Sequence, residues 1–171
     1  MRSASALRIS LVSLIVVLAA ACADSSTPLA PRAPDPAIAF SKGKDGKKVA
    51  VCKLQKEEWK TQQIGTRGGH FNVGGVTLTV PAHALTRTVS ITAHTLPTTS
   101  ASVQLLPEGL QFAVPATLTI EYAKCQTPLL GVNVVYVQAD TVTEVEPSKN
   151  HPILKYVSAS IRHFSSYAVA Y

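Results

Sequence analysis

The sequence predicts an all-β protein, an antiparallel β-sandwich of about eight to ten short strands. Short runs of alternating apolar and polar residues recur along the chain, separated by turns rich in Gly, Pro, Asn and Asp. No apolar repeat of helical period is long enough to predict a long helix. The length of 171 residues favours one domain with its own core over two domains of ordinary size.

The clearest hairpin pattern lies within residues 68–85. A short strand is followed by the paired glycines Gly74-Gly75 and then by the alternating run 76–80, in which apolar residues and threonines take turns. Paired glycines adopt positive φ at little cost, so they predict a tight turn between two antiparallel strands. Pro81 has no N–H group and should end the second strand.

The other strands are predicted from the same alternation. The run 132–138 is apolar on both sides, which is typical of a central strand covered on both faces. Residues 53–60 could form two helical turns, and residues 147–152 are expected to form a loop. The remaining predicted strands are 49–52, 88–94, 103–106, 117–122, 141–145, 153–161 and 165–171.

The N-terminal segment 1–21 has the layout of a secretory signal peptide. Basic residues precede an apolar run, which is too short for a stable membrane span and ends in small residues directly before Cys22. This ending resembles a bacterial lipobox, although Ala19 stands where that motif prefers Leu, Val or Ile. The resemblance implies acylation of Cys22 and anchoring to a membrane of the cell envelope, at the outer membrane or at a periplasmic or extracellular face. An ordinary cleavage site and a secreted protein are the alternative.

Residues 22–47 are rich in Pro, Ala, Ser and Lys and predict an extended tether before a sandwich domain at 48–171. Without the signal peptide, the 16 basic residues fall to 14 against 10 acidic ones, a net charge of about +4. Four lysines are clustered at 42–48. They could contact anionic lipid head groups or cell-wall polymers, or form a solvated flexible segment. No aromatic residues interleave with them, which argues against nucleic acid.

Two cysteines remain once Cys22 is assigned to the lipobox, namely Cys52 and Cys125. In an oxidising compartment such a pair predicts a disulfide. Neither cysteine belongs to a Cys-x-x-Cys motif or has a histidine at ligand spacing, so a metal site is not expected there.

The central stretch combines Gly68-Gly69, the run Gly75–Leu85 that includes Val80-Pro81, and an Ile/Thr alternation at 89–92. This combination resembles the ZU-five domain, a β-sandwich of ankyrins, netrin receptors, zonula occludens proteins and many bacterial envelope proteins. A second segment, 106–118, is similar to the family's Pro-x-Gly-x-x-Phe-x-x-Pro-x-x-Leu motif. His83 stands where the family most often has glycine, so this turn either has negative φ or stores strain. The resemblance implies an interaction or structural module and no particular substrate.

One triplet could carry chemistry. His163-Phe164-Ser165 matches the sequence at which some ZU-five relatives cut themselves between Phe and Ser. By this resemblance Ser165 would attack the carbonyl of Phe164 while His163 takes the hydroxyl proton. The alternative is an ordinary buried strand.

Other catalytic and cofactor sites are not expected. The remaining histidines are scattered without metal-ligand spacing, and the acidic pairs Glu57-Glu58 and Glu144/Glu146 are interpreted as solvated surface. No cofactor and no metal are predicted.

The sequence thus favours a non-catalytic, membrane-anchored envelope lipoprotein with a protein or cell-wall partner. A self-processing domain is the first alternative. A cell-wall or carbohydrate-binding module is the second. Such modules commonly have a row of exposed aromatic rings, whereas this chain has a single tryptophan, Trp59.

Overall fold

A computed structural model of the chain describes residues 46–139 and 141–171. These residues form thirteen strands in three antiparallel sheets and no helix, which confirms the all-β prediction. The signal peptide, Cys22 and almost all of the tether lie outside the described residues. The strands are β1 (Val51–Cys52), β2 (Glu58–Ile64), β3 (Gly69–Val73), β4 (Val76–Val80), β5 (Val89–Thr95), β6 (Ser102–Leu106), β7 (Gln111–Glu121), β8 (Cys125–Gln126), β9 (Asn133–Gln138), β10 (Thr141–Val145), β11 (Ser148–His151), β12 (Tyr156–His163) and β13 (Ser166–Ala170).

The two large sheets form the layers of the sandwich. One has six strands in the order β10-β9-β13-β6-β5-β2, and the other has five in the order β11-β12-β7-β4-β3. One apolar cluster contains inward side chains from both sheets, including Leu78, Leu118 and Ile161 of the five-stranded sheet and Ile91, Leu105 and Val134 of the six-stranded sheet. A membrane-crossing helix is not found in the part of the chain that the structure describes.

The predicted hairpin around the paired glycines is confirmed. Strands β3 and β4 are paired along their whole length, and the last pair before the turn is Val73 with Val76. Both residues of the turn, Gly74 and Gly75, have positive φ. The apolar residues of β4 are buried, whereas Thr79 faces solvent. The strand ends at Val80, directly before the proline.

The prediction of a strand covered on both faces is also confirmed. In β9 the neighbours Val134 and Val135 are both buried although they point to opposite faces. Val134 belongs to the central core, while Val135 belongs to a second apolar cluster with Val142 of β10 and Ala168 of β13. That second cluster covers the outer face of the six-stranded sheet.

Two local predictions are wrong. The possible helical turns at 53–60 are absent, because β2 begins at Glu58 and pairs with β5 along seven residues. The expected loop at 147–152 contains β11, whose four residues pair with β12 at the edge of the five-stranded sheet. In both cases, pairing with a neighbouring strand supplies the backbone hydrogen bonds and overrides local propensity.

The predicted disulfide between Cys52 and Cys125 is present. Its cysteines are direct partners in the short antiparallel pair β1–β8, which forms the third sheet. The bridge closes a loop with a sequence separation of 73 residues. It therefore joins the start of the sandwich to the segment that follows β7.

Candidate functional site

The triplet His163-Phe164-Ser165 lies where the chain crosses from one sheet to the other. His163 is the last residue of β12 in the five-stranded sheet, and β13 of the six-stranded sheet begins directly after Ser165. Phe164 is fully buried and its ring meets Phe112 edge-on at 5.1 Å between centroids. Ser165 is buried as well.

The backbone of this crossing segment is held by hydrogen bonds on both sides of the Phe164–Ser165 peptide bond. The N–H of Gly109 donates to the carbonyl oxygen of Phe164 at 2.9 Å, and the N–H of Leu105 donates to that of Ser165 at 2.9 Å. The N–H of Phe164 donates to the carbonyl of Leu110 at 2.9 Å. The carbonyl that Ser165 would attack is therefore polarised by one backbone donor.

The imidazole of His163 is engaged with tyrosines. Its ring meets the ring of Tyr136 edge-on at 5.3 Å, and its Nδ1 lies 3.4 Å from the hydroxyl of Tyr167. That hydroxyl donates to the carbonyl oxygen of His163 at 2.7 Å. Within the described residues, the ring of His163 and the hydroxyl of Ser165 share no hydrogen bond. Ser165 and His163 are close in the sequence, but their side chains do not form the hydrogen bond that a nucleophile and its general base share.

Two glutamates complete the surroundings of His163, and sequence reasoning missed one of them. Glu144 is exposed, as expected of a surface residue, but Glu146 is only 6% exposed, so its interpretation as solvated surface is wrong. A carboxylate oxygen from each glutamate and a ring nitrogen of His163 lie within 4.8 Å of one another. The only feature of the sequence that points to this cluster is the alternation Glu-x-Glu at 144–146. In an extended chain this spacing places both glutamate side chains on one face.

These groups influence one another electrostatically. Burial raises the pKa of the Glu146 carboxyl, the neighbouring charge of Glu144 raises it further, and His163 opposes both effects. Burial also raises the pKa of the Tyr167 hydroxyl, and both glutamates add to this effect. Tyr167 therefore remains a neutral hydrogen-bond donor at physiological pH.

A second feature is a group of exposed aliphatic side chains at one end of the sandwich, here called the apolar tip. It comprises Leu129 and Leu130, which follow β8, and Ile153 and Leu154 in the turn between β11 and β12. Ile153 is 93% exposed and Leu130 is 79% exposed. Exposed apolar side chains that are grouped in this way are costly to keep in water and are typical of a contact surface.

The two loops of the apolar tip are tied together by a polar contact beneath it. The buried Tyr122 donates its hydroxyl to Oδ1 of Asn150, and Nδ2 of Asn150 donates to the carbonyl of Leu129 at 3.0 Å. Lys155 lies beside the tip with its Nζ 5.8 Å from the centre of the Tyr122 ring. Lys47 donates to the carbonyl oxygen of Gly131 at 3.1 Å.

Lysines are the charged residues of the two segments that carry the tip. Segments 124–133 and 147–157 contain Lys124, Lys149 and Lys155 and no Asp or Glu, although Glu121 lies next to them as the strand partner of Tyr156. An apolar protrusion with a basic surround is complementary to an anionic surface that has an apolar interior.

Trp59, the residue considered for carbohydrate binding, lies on the edge strand β2 and is 61% exposed. One face of its ring is stacked on the ring of His94 at 3.5 Å, and Nε2 of His94 contacts Oε1 of Glu57 at 3.0 Å. Among the large apolar side chains exposed in the described residues, Trp59 is the sole aromatic one. No row of exposed rings accompanies it there.

The other histidines considered at the outset are dispersed in the structure. His70 is an exposed residue of β3, and His151 stacks on Tyr156 at the end of β11. His83 is exposed and has a positive φ of 64°. Of the two conformations expected for this turn, the structure thus has the strained one.

The chain matches no protein-family model, and no curated protein matches its sequence. The likeness to ZU-five domains accordingly depends on the sequence motifs described above.

Proposed function

We propose that this chain is a non-catalytic, membrane-anchored envelope lipoprotein whose ZU-five-like sandwich is a binding module, and that its apolar tip rests on an anionic lipid surface. The observation that carries the proposal is the presence of four exposed aliphatic side chains on two adjacent loops, whose segments also contain three lysines. The lipobox-like segment before Cys22 supports the anchoring part of the proposal.

The energetics of the tip favour this assignment. Each aliphatic side chain that leaves water completely contributes about 1.5–3 kcal/mol to binding. Each lysine close to an anionic membrane contributes about 1 kcal/mol. Partial insertion of the tip would be weak alone, but it would orient a domain that an acylated Cys22 already holds at the membrane.

Vesicle sedimentation tests the tip separately from the acyl anchor. The mature chain 22–171 carrying Cys22→Ser, which has neither the apolar signal segment nor an acyl group, is mixed with phosphatidylcholine vesicles with and without phosphatidylglycerol. We expect binding to the anionic vesicles that weakens as salt is added. Replacing Ile153 and Leu154 by serine should weaken binding by about tenfold or more, since each 1.4 kcal/mol corresponds to a factor of ten.

The matched control replaces two exposed apolar residues outside the tip, Trp59 and Val114, by serine. This variant should bind like the unsubstituted chain. Equal binding by both double variants, or no binding to anionic vesicles, would show that the tip does not contact lipid and would direct the search to a protein or cell-wall partner.

The anchor has its own measurement, a denaturing intact-mass spectrum of the protein extracted from its native membrane. We expect residues 1–21 to be absent and Cys22 to carry the mass of its acyl chains. A chain that begins near Cys22 without acyl mass would point to ordinary cleavage and a secreted protein.

Self-cleavage at Phe164–Ser165 is a second candidate function, favoured by the hydrogen bond from Gly109 to the carbonyl oxygen of Phe164. In this reaction the Ser165 hydroxyl oxygen bonds to that carbonyl carbon and its proton passes to His163. His163 then gives a proton to the Ser165 nitrogen as the peptide C–N bond breaks, which leaves an ester and a free amino group. Water then hydrolyses the resulting ester. The same mass spectrum tests it: a chain ending at Phe164 that is restored to full length by Ser165→Ala would establish processing.

A further inference from the structure

The cluster formed by Glu144, Glu146 and His163 comes from two separate crossings between the sheets. Glu144 belongs to β10 of the six-stranded sheet, and Glu146 lies on the link that leads to β11 in the other sheet. His163 ends β12, where the chain returns to the six-stranded sheet. The three side chains are thus brought together by tertiary structure, and their ligand atoms lie within 4.8 Å of one another.

The carboxylate of Glu146 is the unusual member of this cluster. The residue is more than nine-tenths buried, at 6% exposure, and its carboxylate is directed at Glu144 and His163. In the described residues it accepts no hydrogen bond and forms no ion pair with a lysine or arginine. A carboxylate on a buried residue is ordinarily paired, hydrogen-bonded or bound to a metal, and His163 is the cationic partner that the cluster itself offers to Glu146. Among the described residues, only Oγ1 of Thr127 is a fully buried side-chain polar atom without a hydrogen-bond partner, so the carboxylate oxygens of Glu146 remain within reach of solvent and of an ion.

A β-bulge turns Glu144 toward the same point. Val142 pairs with Val137, but Glu144, rather than Thr143, pairs with Tyr136, so one extra residue is inserted between the two pairs. In a regular strand Val142 and Glu144 would share a face. The bulge leaves Val142 in the outer apolar cluster while Glu144 shares the face of Tyr136, whose ring contacts His163.

Tyr167 contacts the imidazole of His163 on its Nδ1 side. Its hydroxyl proton is used in the hydrogen bond to the carbonyl oxygen of His163, so toward the ring the hydroxyl can act only as an acceptor. At 3.4 Å from Nδ1 it favours the tautomer with the proton on Nδ1 and the lone pair on Nε2. Metal-binding histidines are commonly oriented in this way by a partner on their second nitrogen.

From these contacts we propose that Glu144, Glu146 and His163 bind a divalent first-row transition-metal ion, with Zn²⁺ as the best-suited member of the class. One imidazole and two carboxylates form a donor set for Zn²⁺, whereas Ca²⁺ and Mg²⁺ prefer oxygen ligands alone. Three protein ligands leave a coordination position open for water or a partner's side chain. This site was not expected from the sequence, which indicated no metal.

The ligand atoms must move closer together around an ion. Ligand bonds of about 2.0–2.2 Å place tetrahedral donor atoms roughly 3.3–3.6 Å apart, compared with separations of up to 4.8 Å in the cluster. The side chain of Glu144 is exposed and is free to change rotamer toward the ion. The bound ion would link the β10–β11 crossing to the β12–β13 crossing, and it would withdraw His163 from any proton transfer to Ser165.

Calorimetry and thermal unfolding with Zn²⁺ test the proposal. The protein is the full chain carrying Cys22→Ser, which removes a free thiol that would compete for the metal. We expect one equivalent of Zn²⁺ to bind and to raise the unfolding temperature, with little effect of Mg²⁺ at the same concentration. Glu144→Gln should weaken Zn²⁺ binding at least tenfold, and it cannot disturb the core because the side chain is exposed.

His163→Gln and Glu146→Gln should weaken binding by a similar or larger factor. The matched controls are His70→Gln and Glu58→Gln, an exposed histidine and an exposed glutamate outside the cluster, which should leave binding unchanged. Unchanged Zn²⁺ affinity in Glu144→Gln and His163→Gln, or no binding by the starting protein, would overturn the proposal. If a buried variant fails to fold, the Glu144→Gln result and the Co²⁺ absorption spectrum of the starting protein decide the matter.

Discussion

Cys52 and Cys125 lie directly opposite each other in the antiparallel pair β1–β8 and are joined by a disulfide. The pair contains two residue pairs and belongs to neither large sheet. Two backbone hydrogen bonds extend it, from the N–H of Cys52 to the carbonyl of Thr99 at 2.7 Å and from that of Lys53 to the carbonyl of Lys124 at 3.0 Å. The same first segment is also bonded to β13 and the residue after it, from the N–H of Ala50 to the carbonyl of Val169 at 2.8 Å and from the N–H of Lys48 to the carbonyl of Tyr171 at 2.9 Å. The disulfide adds a covalent link between this segment and the chain that follows β7.

Removal of the disulfide should therefore destabilise the whole domain. For a loop with a separation of 73 residues, the chain-entropy model gives roughly 4 kcal/mol. The measured effect of a disulfide on stability is commonly smaller than this model gives. We therefore expect the double variant Cys52→Ala/Cys125→Ala to lose about 2–4 kcal/mol of unfolding free energy in urea unfolding. Reduction of the unsubstituted protein should give a shift of similar size. An unchanged unfolding midpoint in both experiments would mean that the bridge does not restrain the unfolded chain.

Gly68 allows the closest backbone approach in the central hairpin. Its φ is +73°, and a Cβ atom at this position would overlap the carbonyl oxygen of Val80 and lie 2.6 Å from the carbonyl carbon of Pro81. Backbone atoms cannot move away as the end of a side chain can. We expect Gly68→Ala to reduce the free energy of unfolding by about 3 kcal/mol or more, measured by urea unfolding.

Gly131 provides the matched control for this substitution. Its φ is +79°, but an added Cβ would meet no atom within 4 Å. Gly131→Ala should therefore cost only the conformational strain of an L-residue at positive φ, about 1–2 kcal/mol. Equal losses for the two variants would show that the close approach to Val80 does not constrain position 68.

His83 is a position at which a substitution should stabilise the protein. It has a φ of 64°, its side chain is exposed, and its N–H donates to the carbonyl of Thr66 at 2.8 Å. Glycine adopts this conformation without strain and keeps the N–H, so His83→Gly should raise the free energy of unfolding by about 0.5–1 kcal/mol.

The neighbouring exposed residue, Ala82, separates this effect from the general effect of adding a glycine. It is not among the residues with positive φ. Ala82→Gly should lower the free energy of unfolding by about 0.5–1 kcal/mol because glycine loses more conformational freedom on folding. A loss of stability in His83→Gly would indicate that the imidazole makes a stabilising contact that outweighs the backbone strain.

Most of the fold could be predicted from the sequence because most strands have one buried and one solvated face. That alternation is visible in β4 and β5, and the two-sided apolar pattern of β9 is equally clear. Edge strands lack this signal. Residues of β2 are mostly exposed on both faces, and Lys, Glu and Gln in that region have good helix propensity. β11 is polar throughout and is ordered by its pairing with β12.

The candidate metal site could not be predicted for a different reason. Glu146 sits in the run Glu-Val-Glu-Pro, which has the composition of a solvated turn. Its burial arises only because the chain crosses between the sheets at this point. The bulge that turns Glu144 toward His163 depends on the pairing of β10 with β9 and leaves no composition signal. Non-local contacts of this kind are invisible to local patterns.

Tyr122 should make stability depend on pH in the alkaline range. Its side chain is buried beneath the apolar tip, and this burial raises the pKa of its hydroxyl above the ordinary value near 10. As the pH rises past 10, the unfolded chain releases the tyrosine proton before the folded chain does. The contribution of Tyr122 to the free energy of unfolding is therefore fully present below about pH 10. It is lost as the pH rises through the pKa that the hydroxyl has in the folded state.

The variant Tyr122→Phe separates the titration of Tyr122 from the titration of other groups at alkaline pH. Those other groups are present in both the variant and the unsubstituted protein. At pH 7 the variant should be about 1 kcal/mol less stable in urea unfolding, because it lacks the hydrogen bond to Asn150. Since phenylalanine does not titrate, the difference between the two proteins should shrink as the pH rises to about 11. A difference that stays constant over this range would show that the Tyr122 hydroxyl titrates alike in the folded and unfolded chains. That result would mean that water reaches the hydroxyl at the base of the tip.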